Sequence, residues 1–198
     1  MKISIAKKEI EFEKIQINIL QKNIFTIYYC KNNKTLEETL NHKKYFRLKE
    51  NISVKHYVHL KKQLGDFLKA LKESGDEDYL KFLNELGDKL FCEFKINERL
   101  NDKGIYCFLI DKEIKYIGRC IDNFGKRINQ GYGKIYPKNC FIDGQITNCK
   151  INSTVNSLKN VTFGIYIMND KTTDEIKNLE KEILLFNNHQ LIFNTKKK

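Results

Sequence analysis

The 198-residue sequence has no tryptophan, a single proline, two methionines and ten glycines. With 41% apolar and 31% charged residues, that scarcity describes a globular chain with enough length for one large domain or two small ones. Internal repeats are missing, and the only low-complexity stretch is the Lys196–Lys198 tail. No apolar run approaches the ~18–20 residues of a membrane span. The opening Met1-Lys2-Ile3-Ser4-Ile5-Ala6-Lys7-Lys8 lacks the long apolar stretch of a secretory signal, so the expected location is the cytoplasm.

Positive charge is in excess. Residues 1–100 carry 20 Lys/Arg against 15 Asp/Glu, and residues 101–198 carry 16 against 10, giving the net +11. Such a balance without a membrane helix suits a polyanionic partner, because each neutralised phosphate releases counterions. A Lys-rich composition bias explains the same excess, and the abundance of Asn and Ile keeps that alternative open. The six cysteines, Cys30, Cys92, Cys107, Cys120, Cys140 and Cys149, are scattered and read as reduced, mostly buried thiols. A zinc site would need tighter spacing and two more ligands than the closest pair, Cys140 and Cys149, provides.

Apolar positions alternate over residues 2–30 (Ile3/Ile5, Ile10/Phe12, Ile15/Ile17/Ile19, Phe25/Ile27), predicting short antiparallel strands. Asn32-Asn33-Lys34 reads as a turn. Leu60, Leu64, Phe67, Leu68 and Leu71 follow helical spacing, as do Leu80, Leu83, Leu86 and Leu90. Ser74-Gly75-Asp76 separates the two runs into a helical hairpin, with Ser74 or Asp76 as N-cap. A polar run from Asn97 to Lys103 marks a boundary, giving an N-terminal region 1–100 and a second domain 101–198. The second half predicts a strand over 104–110, a strand over 114–119, a helix over about 123–130, a long polar loop over 131–160, a strand over 161–168 and a helix over about 173–188.

Gly104-Ile105-Tyr106 and Tyr116-Ile117-Gly118 each set one tyrosine close to one glycine on an apolar strand. A lone strand tyrosine is ordinarily a packing residue. A glycine inside a strand costs stability and marks a bulge or a close approach, so the pairing of the two carries information. A phenol can donate to a phosphate or act as a general base when its pKa is lowered. Arginine is scarce here: Arg119 and Arg127 are the two after residue 101, among fourteen lysines. Either is a planar, permanently charged phosphate donor, or a solvated surface residue. On the last helix Ile176, Leu179, Ile183 and Phe186 form a core stripe, and Glu180 and Glu182 fall on opposite flanks of it. One of the two can face a site beside the sheet, where a single carboxylate would suit Mg²⁺.

These residues resemble the GIY-YIG endonuclease family. Both signature triplets stand unaltered, Arg127 follows in Lys126-Arg127-Ile128, and a helix glutamate precedes Asn194. Leu179-Glu180-Lys181-Glu182-Ile183-Leu184 fits the family pattern at Glu180. The resemblance covers residues 101–198 and implies an α+β fold, a small three-stranded antiparallel sheet flanked by helices, preceded by the mixed strand and helical-hairpin region. It implies that Tyr106 activates or orients the attacking water, Tyr116 positions the scissile phosphate, Arg127 stabilises developing charge, Glu180 binds Mg²⁺ (or Mn²⁺) and Asn194 orders the site. Arg119 is a second cation beside it. Many members carry a His or Tyr one turn after the arginine; here residue 131 is glycine and Tyr132 is the nearest substitute. The family's usual proline between the glutamate and the asparagine is also missing.

In the 131–160 segment, Lys138, Asn139, Gln145, Asn148 and Lys150, together with Lys126, are candidate DNA contacts, since Asn and Gln can read adenine edges. A plain surface loop is the alternative. The expected function is a divalent-metal-dependent DNA endonuclease of the restriction type. Its partners would be double-stranded DNA, a second copy in a homodimer and a cognate DNA methyltransferase. Residues 1–100 would serve recognition or dimerisation. A repair or mobile-element nuclease competes within the class. An inactive nuclease-derived DNA-binding protein would have lost a metal ligand or a tyrosine, and none is lost.

Overall fold

A computed structural model describes residues 2–5, 8–25, 32–187 and 194. The order is β1 (Lys2–Ile5), β2 (Lys8–Glu11), β3 (Glu13–Ile15), β4 (Asn18–Phe25), α1 (Leu36–Leu40), α2 (Lys49–Lys55), α3 (Leu64–Glu73), β5 (Leu90–Lys95), β6 (Gly104–Ile110), β7 (Glu113–Cys120), α4 (Pro137–Cys140), α5 (Ile146–Ser157), β8 (Val161–Ile167) and α6 (Thr173–Asn187). The protein is α+β with antiparallel sheets. Among the described residues no helix is long and apolar enough to cross a membrane.

The chain divides into two units. The first holds residues 1–22, 92–134 and 154–198, and the second holds residues 23–91 and 135–153. In the first unit the main sheet runs β3-β8-β6-β7, four strands where three are expected. The fourth is β3, three residues that pair antiparallel with β8 (Lys14 opposite Gly164) and add an edge the apolar pattern alone does not reveal. The central strand β6 is buried on both faces from Gly104 to Leu109 and reads accordingly as an unbroken apolar run. One face of the sheet, through Ile105, Cys107, Leu109 and Ile117, packs with Ile176 and Ile183 of α6 and with Ile10 and Phe12.

Asp111 and Lys112 (φ 50° and 71°) form the tight β6–β7 turn in the left-handed region that two-residue hairpin loops demand. Beyond it, Ile110 faces Glu113 and Leu109 faces Ile114, yet Phe108 faces Tyr116, so Lys115 is the extra residue of a β-bulge. A one-residue slip turns a strand over. Without the bulge Tyr116 would stand opposite Cys107, on the α6 face; with it, Tyr116 joins Tyr106 on the other face.

In the second unit Leu36, Leu40, Tyr45, Ile52, Leu64, Phe67, Leu68, Phe82 and Phe141 form the core. Thr35 and Glu38 cap α1 reciprocally, and Asp76 caps the next turn by accepting from the Asp78 N–H, as its position predicts. The expected second arm of a helical hairpin is instead a 3₁₀ turn, Glu77–Phe82, followed by non-helical chain to β5. Asn84 explains the break. Its side chain donates to the Asn139 and Phe141 carbonyls and accepts from the Leu86 N–H, which holds the backbone in a turn. The expected 131–160 loop is likewise corrected: it contains α4 and α5, with Asn148, Cys149, Ile151, Asn152 and Val155 buried. The described cysteines are all buried thiols outside any disulfide, and burial pushes the Cys107 thiol up to about 12. Cys30 and Ile27 lie outside the described residues.

Candidate active site

Two glycines shape the tyrosine hairpin. Gly104 has φ +146°, and a Cβ there would run into the Tyr166 carbonyl oxygen. Gly118 lies opposite Tyr106, and a Cβ there would run into the Tyr106 hydroxyl. The glycine of the second triplet is thus the space through which the tyrosine of the first extends.

The Tyr106 hydroxyl lies 2.5 Å from that of Tyr132. Arg127 ties the pair together: its Nε donates to the Tyr106 oxygen at 3.0 Å and an Nη donates to the Tyr132 oxygen at 2.7 Å. The guanidinium also lies over the Tyr132 ring, 4.8 Å from its centroid. The Tyr132 hydroxyl reaches the Tyr116 hydroxyl at 3.5 Å. Phe124 packs edge-on against Tyr106, and Phe163 stacks on Tyr132, closing the cluster with apolar walls. Tyr106 and Tyr132 are fully buried, whereas Tyr116 and Arg127 reach the surface in part.

Tyr132 reaches this cluster because the helix expected over 123–130 is a single π-helical turn, Gly125–Gln130. A π turn brings residues five apart onto one side. Arg127 and Tyr132 are five apart, so the position that is glycine under α-helical counting is filled by the next residue. The turn is anchored at both ends: Asn123 Oδ1 accepts from the Lys126 N–H, and the Asn129 amide bonds the Ile96 N–H and carbonyl.

Burial holds the Tyr106 and Tyr132 phenols well above the usual range, so both are neutral donors and acceptors at physiological pH. Burial opposes the charge on Arg127, but the three phenols around it outweigh that and raise its pKa. Unfolded phenols ionise near ~10. The native state keeps these protons above that pH while the unfolded state releases them, so stability is complete below about pH 10 and falls as pH rises past it. A phenolate absorbance titration is expected to leave Tyr106, Tyr132 and the similarly raised Tyr45 silent until the chain unfolds. Reversible ionisation of all ten tyrosines near 10 in the folded protein would contradict this geometry.

The second group of residues follows the free edge of β7. Asn194 Oδ1 accepts from the Ile117 N–H at 2.9 Å and its Nδ2 donates to the Ile117 carbonyl at 2.7 Å, occupying the edge as a further strand would. Two residues on, Glu180 Oε1 accepts from the Arg119 N–H at 3.1 Å, and Oε2 pairs with the Arg119 guanidinium. The Glu180 side chain is 12% exposed, that of Arg119 42%. Glu182 points to solvent. Tyr116 and Arg119 are three residues apart on one strand, so their side chains leave opposite faces of the sheet and the two groups sit about 10 Å apart along the β7 edge.

No family model, curated protein or solved structure matches this chain. The site therefore rests on its own chemistry. As a metal position, Glu180 offers one hard carboxylate whose charge is now balanced by Arg119, which suits a divalent cation that takes one carboxylate plus water and phosphate oxygens. The one cluster of three metal-ligand side chains among the described residues, His56, Asp76 and Asp78, belongs to the second unit. It is compensated by Lys55 on both carboxylates and by Lys81 on Asp78.

Of the candidate DNA contacts, Lys126 is exposed on the first unit and ion-paired with Asp122. The others lie in the second unit. Lys138 and Gln145 are exposed, and Lys150 is half-buried on α5. Asn139 and Asn148 are buried and have structural tasks: Asn139 accepts from the Tyr136 N–H and Asn148 donates to Gln145. An amide spent on its own chain has no free edge to offer a base, so these two are withdrawn as contacts.

Proposed function

We propose that the chain is a divalent-metal-dependent endonuclease that hydrolyses phosphodiester bonds in DNA, of the GIY-YIG type. The observation that supports it best is the lock of Arg127 between two buried phenols, with a third phenol, Tyr116, at the surface beside a strand edge that carries Glu180. Each of these residues stands at a signature position, or, for Tyr132, at the position the π turn substitutes for it.

The division of labour follows burial. The resemblance gives the water-orienting role to Tyr106, but Tyr106 is buried and Tyr116 is the phenol that a water molecule can reach, so in this reading Tyr116 takes the place beside the nucleophile and orients it by hydrogen bonding. Tyr106 and Tyr132 have no exposed surface and act through Arg127, fixing its plane. Two of the five guanidinium N–H groups are used by them, and the Nη1 donors remain for a phosphate oxygen whose charge grows as the bond breaks. Fixed donors of this kind need no rearrangement during the reaction. Glu180 is the residue to hold Mg²⁺ or Mn²⁺, which would supply further neutralisation of the phosphate. Asn194 keeps the β7 edge in place and so keeps Glu180 and Tyr116 in register.

The finer reading is a restriction-type enzyme acting on double-stranded DNA as a homodimer alongside a cognate methyltransferase, with residues 1–100 serving recognition or dimerisation. Supercoiled plasmid incubated with purified protein is expected to be linearised in Mg²⁺ or Mn²⁺ and left intact under chelation. Cleavage that persists under full chelation would contradict the metal-dependent reading.

A further inference from the structure

The second unit concentrates charge in one stretch. Residues 42–62 carry seven Lys/Arg against one acid, Glu50, a net +6 out of the chain's +11. Lys43, Lys44 and Arg47 are exposed and form no ion pair among the described residues. The same stretch leaves apolar surface open: Phe46, Val54, Tyr57 and Val58 are 64%, 74%, 70% and 66% exposed.

The local fold produces that combination. A 3₁₀ turn over Phe46–Leu48, α2 and a second 3₁₀ turn over Tyr57–His59 follow one another. Tyr45, Ile52 and His56 turn inward and are buried, with His56 edge-on to Phe67 of α3. Residues 46, 50, 54 and 58, spaced by four, stand along the outward side. The platform is rigidly tied. The Tyr45 hydroxyl donates to Asp143 at 2.5 Å, and His56 Nε2 lies 2.9 Å from Asp78, a carboxylate that Lys55 and Lys81 also hold. The His56–Asp76–Asp78 cluster is therefore a brace behind this face. Charge and ring interleave on the surface, with the Lys49 ammonium 5.8 Å from the Phe46 centroid.

We infer that this face docks double-stranded DNA, Lys43, Lys44 and Arg47 on phosphates and the Phe46–Val58 ridge against sugars and base edges. The inference rests on the nuclease reading for its choice of polyanion. Charge complementarity supports it, since a polyanion that also presents sugar faces and thymine methyl groups satisfies both halves of the surface. A second copy of the chain would bring two faces of like charge together.

The triple variant Lys43→Glu/Lys44→Glu/Arg47→Glu changes only exposed side chains, and its thermal unfolding should match wild type. Anisotropy on a duplex of about 30 base pairs, in chelator, should show affinity lowered about 10²–10³-fold near ~0.1 M salt, with the slope of log K against log salt shallower by about 2–3. Phe46→Ser/Tyr57→Ser, with all charges kept, should lose about 10-fold with the slope unchanged. Wild-type affinity and slope in the triple variant would overturn the inference. So would a loss of binding confined to phosphatidylserine vesicles, or a dimer-to-monomer shift in sedimentation with DNA affinity per protomer unchanged. Plasmid cleavage scored in parallel separates the two claims. Protein that binds through this face without cutting in Mg²⁺ or Mn²⁺ refutes the nuclease reading and leaves the docking face standing. Undiminished binding and cutting in the triple variant does the reverse.

Discussion

Glu180→Gln is expected to abolish metal-dependent cleavage, with a rate loss on the order of 10³-fold, while leaving DNA affinity close to wild type. Glutamine keeps the shape and the oxygen that accepts from the Arg119 N–H, so the capped edge of β7 is preserved. It removes the charge on which a divalent cation depends. The ion pair with Arg119 is lost as well, but its arginine is partly open to solvent, and pairs screened in that way contribute on the order of 1 kcal/mol. Unfolding temperature should therefore barely move. Glu182→Gln is the matched control: Glu182 lies two residues on along α6 and points to solvent, and its variant should cut at nearly the wild-type rate. The opposite pattern would transfer the metal position to Glu182. Single-turnover rates with saturating protein measure both variants on one scale.

Arg127→Ala is expected to slow cleavage about 10²–10³-fold, the usual effect of removing one fixed donor from a developing anion. Binding should weaken far less. Arg127→Lys should not restore the rate, because an ammonium cannot bond two phenols in a fixed plane and still present a fork to phosphate. The variant loses the contact over the Tyr132 ring and two hydrogen bonds to the phenols, a stability cost on the order of 3 kcal/mol, while Tyr106 and Tyr132 keep their bond to each other. A wild-type rate in Arg127→Ala would return the arginine to a packing role.

The parts of the site that were legible in the sequence are those carried by residue type at a fixed spacing. Two tyrosine–glycine strands, a scarce arginine and a glutamate in helix register could be named in advance, and α6 presents Glu180 inward and Glu182 outward as the helical period requires. What the sequence hid are departures from regular geometry. The bulge at Lys115 decides that Tyr116 shares a face with Tyr106, and nothing about a lysine between Ile114 and Tyr116 announces it. Tyr132 could be named as the nearest substitute for the glycine at 131, but the π turn that brings it beside the arginine could not be read by counting in fours. Helix α5 was hidden for a different reason. Its Asn, Ser and Thr residues are weak helix formers, and burial of Ile151, Asn152 and Val155 overrides their preference. The leucines from Leu80 to Leu90 fit helical spacing, but Asn84 diverts the chain into a turn. Short strands over residues 2–30 were legible, but not that β3, three residues long, pairs with β8 at the edge of the main sheet.

Run-off sequencing of plasmid digested by the wild-type protein and by Glu180→Gln tests most directly whether this cluster is a nuclease site. Discrete ends at recurring positions in Mg²⁺, missing under chelation and in Glu180→Gln, are the expected result. Ends that persist in Glu180→Gln, or no cleavage by wild type in Mg²⁺ or Mn²⁺, would contradict it.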